Sequence, residues 1–115
     1  MAREFFHIVR GKTPAIADFR TQREQGRRLK QPAYEREWAE GISVYDDFER
    51  VCAVARKFGF RAGSYVVKIV IPEDAFLEFR QTFDDPHHFT IYARAQRVMA
   101  LIEGIPVCIP GSPGE

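Results

Sequence analysis

Several things that mark particular chemistries are scarce in this chain of 115 residues. It holds two cysteines, Cys52 and Cys108, and three histidines, His7, His87 and His88, with no Cys-x-x-Cys or His-x-His spacing among them. A tetrahedral metal centre needs several such ligands converging, so no metal is expected. His87 and His88 are adjacent on a strand, point to opposite faces and would not share an ion. Cys52 falls on the apolar side of a helix and reads as a buried free thiol, not as a redox group. Glycine-rich phosphate loops are missing, which argues against P-loop and dinucleotide-binding Rossmann sites. Ser43, inside GISVY, lacks the strained G-x-S-x-G turn of a hydrolase nucleophile. There are no repeats, and no low-complexity tract precedes the GSPGE tail, residues 111–115, which is expected to fray. No apolar run approaches the roughly 20 residues of a membrane span. The start, MAREFF, is charged at once and unlike a secretory leader. The expectation is a soluble, cytoplasmic protein with no membrane partner.

What is present is ample apolar material. At 45% hydrophobic, the chain can build one core without staples, giving a single domain over residues 1–110. The net charge of +1 hides an asymmetry: Arg3, Arg10, Lys12, Arg20, Arg23, Arg27, Arg28 and Lys30 stand against only Glu4, Asp18 and Glu24 in the first thirty residues. Such a surface suits a phosphate-bearing ligand or nucleic acid, and equally a solvated helix face. Aromatic residues are not interleaved with these charges, which argues against a single-strand binding surface.

The central stretch is Gly41–Phe58. Its first part is a short strand with Ser43 and Tyr45 on one face and Ile42 and Val44 on the other. Asp46 is placed to cap a following helix, with Glu49 completing a capping-box pair. Phe48, Val51, Cys52, Ala55 and Phe58 then form an apolar stripe at helical spacing. Before it, Glu4–Arg10 reads as a strand with Phe5, His7 and Val9 on one face. Thr13-Pro14 starts a helix through Gln25, with Ile16 and Phe19 inward. Arg27–Gln31 is a basic connector, and Ala33–Glu40 a short helix with Tyr34 and Trp38 one turn apart. After it, Ser64–Ile71 is the strongest strand, apolar on both faces and expected near the middle of a sheet. Ala75–Phe83 alternates as a strand. His87–Ala93 is a strand with Phe89 and Ile91 on one face and His88, Thr90 and Tyr92 on the other. One helical turn at Arg94–Met99 precedes a last strand, Ala100–Ile109, whose Pro106 suits an edge or a bulge. Two to three helices, mostly in the N-terminal half, with strands later indicate an α+β fold with a mixed or mainly antiparallel sheet.

Polar groups on strands are held rigidly, and those to weigh are His7, Arg10, Ser43, Tyr45, His88, Thr90 and Tyr92. Two imidazoles and an arginine can cleave RNA, one ring taking the 2′-hydroxyl proton, the other protonating the leaving oxygen, and the arginine steadying the phosphorane. His7, His88 and Arg10 meet that inventory. Each of these residues also has an ordinary packing role open to it, which keeps a non-enzymatic interaction domain as an alternative.

Taken in order, FHIVRGKTP, GISVYDDFERVCAVARKF, GSYVVKIVIPED and HHFTIYA resemble small bacterial proteins that look like compact ADP-ribosyltransferase-like domains. The resemblance covers about residues 5 to 110. It implies a split sheet clamping nicotinamide adenine dinucleotide (NAD), with RNA or protein as possible acceptor. His7 would match the first-strand position and hold ribose or phosphate, aided by Arg10. Ser43 and Tyr45 would match the second, with Tyr45 stacking on nicotinamide. The third position, a Glu in active transferases, falls in HHFTIY, where His88 or Thr90 would stand; Glu103 is remote.

Overall fold

The computed structural model describes residues 2–115. Six strands, β1 (Arg3–Val9), β2 (Ile42–Tyr45), β3 (Tyr65–Ile71), β4 (Glu78–Gln81), β5 (His88–Tyr92) and β6 (Ile102–Cys108), form one sheet in the order β4-β5-β2-β1-β3-β6. Every neighbouring pair is antiparallel, so the α+β expectation stands and the mixed alternative does not. The helices are α1 (Glu35–Glu40), α2 (Phe48–Lys57) and α3 (Ala95–Met99). α1 and α2 lie in the first half of the chain, and α3 lies between the last two strands. The sheet is continuous, though β1 meets β2 through a single register pair, Phe6 opposite Tyr45. β3 lies inside the sheet but one place from its edge, between β1 and β6.

Cross-strand partners share a face, so the register sorts the side chains into two layers. On the first face, Phe5, Val9, Ile42, Val44, Val67, Ile69 and Ile91 are buried beneath Phe19 and the α3 residue Val98. On the second, α2 presses Val51, Cys52 and Ala55 onto Val66 and Ile109, with Phe6, Ile8 and Tyr45 at the margin. Burial of this stripe, together with the cap, is sufficient reason for α2 to form. Burial also pushes the Cys52 thiol up, away from reactive thiolate.

Local departures from the sequence reading have local causes. The helix expected through Gln25 is only a 3-10 turn at Ile16–Phe19. Asp18 draws the backbone N–H groups of Arg10 and Ala15 onto its carboxylate, and Arg20 is extended. Thr21 and Glu24 then bond each other's backbone amides reciprocally and start a separate turn. Phe19 is buried, but Ile16 is 53% exposed. The α2 cap is Asp47, which accepts from Arg50 N, while Asp46 turns to His87. The helix stops before Phe58, which is exposed, and Phe60 packs in its place. β4 starts only at Glu78. In β6 the register slips around Gly104–Pro106, the irregularity that a proline at an edge suggests. The tail that reads as frayed instead lies on β3: Ser112 is buried, and the Tyr65 hydroxyl donates to the Gly114 carbonyl at 3.1 Å.

Candidate ligand-binding site

The register decides which of the sequence-derived candidates meet. Ser43 lies opposite Thr90 and Tyr45 opposite His88 across β2 and β5, so these four share the second face. His7 lies opposite Val67 and belongs to the first face, where its ring stacks on Phe19 at 4.6 Å. The sheet therefore stands between His7 and the other four side chains. Arg10 is exposed just past the end of β1, with its backbone N–H on Asp18 Oδ1 at 3.1 Å.

Both imidazoles are engaged, that of His7 half-buried and that of His88 buried. His7 Nδ1 is 2.8 Å from the Ser43 carbonyl oxygen and Nε2 is 2.5 Å from that of Asp18. Burial lowers the pKa of His7, while the two carbonyls, each suited to an N–H, act against it. His88 is 6% exposed, and its Nδ1 lies 2.8 Å from Thr82 Oγ1, which is in turn 2.8 Å from Thr90 Oγ1. The His88 ring also contacts Tyr45 at 5.2 Å and Phe83 at 4.8 Å. Burial holds His88 towards its neutral form and pushes the Tyr45 phenol up. With the two rings on opposite faces, one phosphate cannot lie between them, as paired acid–base cleavage requires.

Beyond Thr90, α1 is fixed by polar contacts. Tyr92 donates its hydroxyl to Glu37 Oε2 at 2.5 Å, and Arg80 reaches the same oxygen at 3.2 Å. Burial raises the Glu37 pKa, but these two donors outweigh it and hold the carboxyl below its ordinary range. Arg36 grips Glu78 with both Nη atoms and lies over the Tyr92 ring at 4.0 Å. The approach is close at Gly41, where a Cβ would sit 2.4 Å from the Thr90 methyl group and 2.7 Å from the Glu37 carbonyl oxygen.

This seating turns the other side of α1 towards the basic connector. A groove of about 530 Å³ runs between them, lined by Arg27, Arg28 and Lys30 and by Tyr34, Trp38 and Phe83. Trp38 Nε1 donates to the Arg27 carbonyl at 2.7 Å, and the Arg23 guanidinium lies 5.8 Å from the Trp38 ring. Phe83 adopts φ 63°, an uncommon conformation for a bulky residue, and meets the edge of Tyr34 at 4.7 Å. Among the described residues, no carboxylate pairs with Arg23, Arg27, Arg28 or Lys30. Past the same β4–β5 turn the polar groups are partnered: Arg50 is paired with Asp85, and His87 Nδ1 lies 2.8 Å from Asp46 Oδ1.

The aromatic–basic interleaving that the sequence lacks is thus made in space. Tyr34 and Trp38, following the basic connector on one helical face, were its legible part. Phe83 arrives from the far end of the chain, and no local pattern announces it. Among the described residues, no group of three or more His, Cys, Asp or Glu is placed to hold a metal, and no helix is long and apolar enough to cross a membrane. Comparison with protein-family models, curated proteins and solved structures gives no match.

Proposed function

We propose that the protein is a nucleotide-binding module that holds its ligand in the groove between residues 27–31 and α1, without a catalytic step of its own. The observation that carries this reading is the joint lining of one groove by cations without carboxylate partners and by three aromatic rings. Cations take phosphate, and aromatic faces take bases, which is the division of labour in sequence-tolerant nucleic-acid sites. The volume falls in the range of about 300–1,000 Å³ usual for ligand pockets. Trp38 is the chain's one tryptophan, so its fluorescence reports on this groove alone. Titration with adenine and uridine nucleotides and oligonucleotides at low salt is expected to quench it saturably. The charge-reversed pair Arg28→Glu and Lys30→Glu, with unchanged circular dichroism, is expected to abolish that quenching. Quenching that survives the reversal rejects the groove as the site.

A second reading keeps the transferase resemblance. NAD belongs to the same ligand class, and the adjacency of Ser43, Thr90, Tyr45 and His88 on one face supports it. His7 would have no part in that clamp. Release of nicotinamide from NAD, lost on Tyr45→Ala, would favour this reading over simple binding.

A further inference from the structure

We infer, resting on the nucleotide-binding reading, that the ligand of this groove is a single-stranded nucleic acid engaged over several nucleotides, and not a mononucleotide. The number and spacing of the cations point there. One phosphate can be satisfied by one or two basic side chains, yet Arg27, Arg28 and Lys30 line the groove and Arg23 stands beside Trp38. The connector carrying them has no regular secondary structure from 27 to 31. Three residues of chain span at most about 10 Å, which bounds how far apart the backbone positions carrying Arg27 and Lys30 can lie. A stacked strand offers about one phosphate every 3.4 Å of rise, so a span of that length faces about three phosphates.

The backbone adds to this. The amides of Arg28, Leu29, Lys30 and Gln31 donate to no protein group among the described residues, so they are free to meet phosphate oxygens. On the facing wall two aromatic residues four positions apart, Tyr34 in the 3-10 turn that leads into α1 and Trp38 in α1 itself, both line the groove. A single base would use only one of them. A duplex fits poorly, because its bases are already stacked on one another and cannot reach these rings.

The test is a length series read by Trp38 fluorescence and by anisotropy of labelled strands: mononucleotide, dinucleotide, hexamer, and the hexamer annealed to its complement. The single-stranded hexamer is expected to bind at least tenfold more tightly than either the mononucleotide or the duplex. Its affinity is expected to fall roughly eighteenfold between 50 and 200 mM salt, the consequence of about three phosphate contacts at about 0.7 in log–log slope each. Arg28→Ala with Lys30→Ala should reduce that slope by about 1.4. RNA and DNA hexamers run in parallel tell which strand is preferred, and tight binding of either supports the inference. A mononucleotide binding within threefold of the hexamer overturns it while leaving nucleotide binding intact. Failure of every probe at 50 mM salt removes the nucleotide-binding reading and this inference together.

Discussion

Two helices cover the same face of the sheet in opposite ways. α2 sits on an apolar seat, where Val51, Cys52 and Ala55 are buried against Val66 and Ile109. α1 sits on a polar one, where Glu37 is held by Tyr92 and Arg80, and Arg36 by Glu78. Apolar burial is strong but non-directional, and suits a helix whose only task is to close a core. A set of directed bonds fixes position and rotation, which is what a groove wall carrying Trp38, with Tyr34 just before it, needs. The difference explains why α2, with the richest sequence signal, carries no part of the groove. The six-residue α1, with a weak signal, brings Trp38 into it, just after Tyr34.

The sharpest way to break the apolar seat is Val51→Asp. It places an unpaired carboxylate at a fully buried position, and a loss of about 4 kcal/mol or more is expected by urea denaturation. The polar seat should respond less in stability and more in binding. Tyr92→Phe removes one bond to a buried carboxylate and should cost about 1–2 kcal/mol. It should also weaken hexamer binding severalfold, whereas a mild change in the α2 seat such as Cys52→Ala should leave binding unaltered. The Glu37 pKa is lowered on folding, so its contribution is complete above the ordinary value of 4.5 and is lost as pH falls through the folded pKa. The melting temperatures of wild type and Tyr92→Phe are therefore expected to converge in acid.

His88 gives a smaller, separate pH effect. Its folded pKa lies below the ordinary 6.5, so its contribution is whole above that pH and is lost as pH falls towards the folded value. Melting temperature followed from pH 7.5 to 5 is expected to decline in wild type and to decline less in His88→Asn. A parallel decline in the two proteins would show that His88 keeps its unfolded pKa. The smallest effect belongs to Arg36→Ala, since the pair with Glu78 is solvent-exposed and surface pairs contribute little. Its melting temperature should be close to that of wild type, and a large drop would mean that the stacking on Tyr92 matters more than the ion pair.

The sequence was most informative where one short stretch held all the relevant forces. The α2 stripe, the alternation in β1 and β5, the continuous apolar run of β3, and the irregularity at Pro106 depend on residues within a few positions of one another. It was less informative where a side chain was claimed from outside that window. Asp18 was drawn to Arg10, eight residues back, and the expected first helix broke into turns. Asp46 was drawn away from its capping role by His87, and Asp47 took its place.

The sequence by itself determined the elements and, through period-two alternation, which residues share a face of each strand. His7 goes with Phe5 and Val9, Ser43 with Tyr45, and His88 with Thr90 on that account alone. Only the tertiary structure decided how those faces align, because alternation fixes a side chain relative to its own strand and says nothing of the next one. The register set Tyr45 and His88 together and put His7 across the sheet. The same pairing of distant strands brought Phe83 to Tyr34 and closed the groove, since only folding could unite a basic connector, a short helix and a late turn.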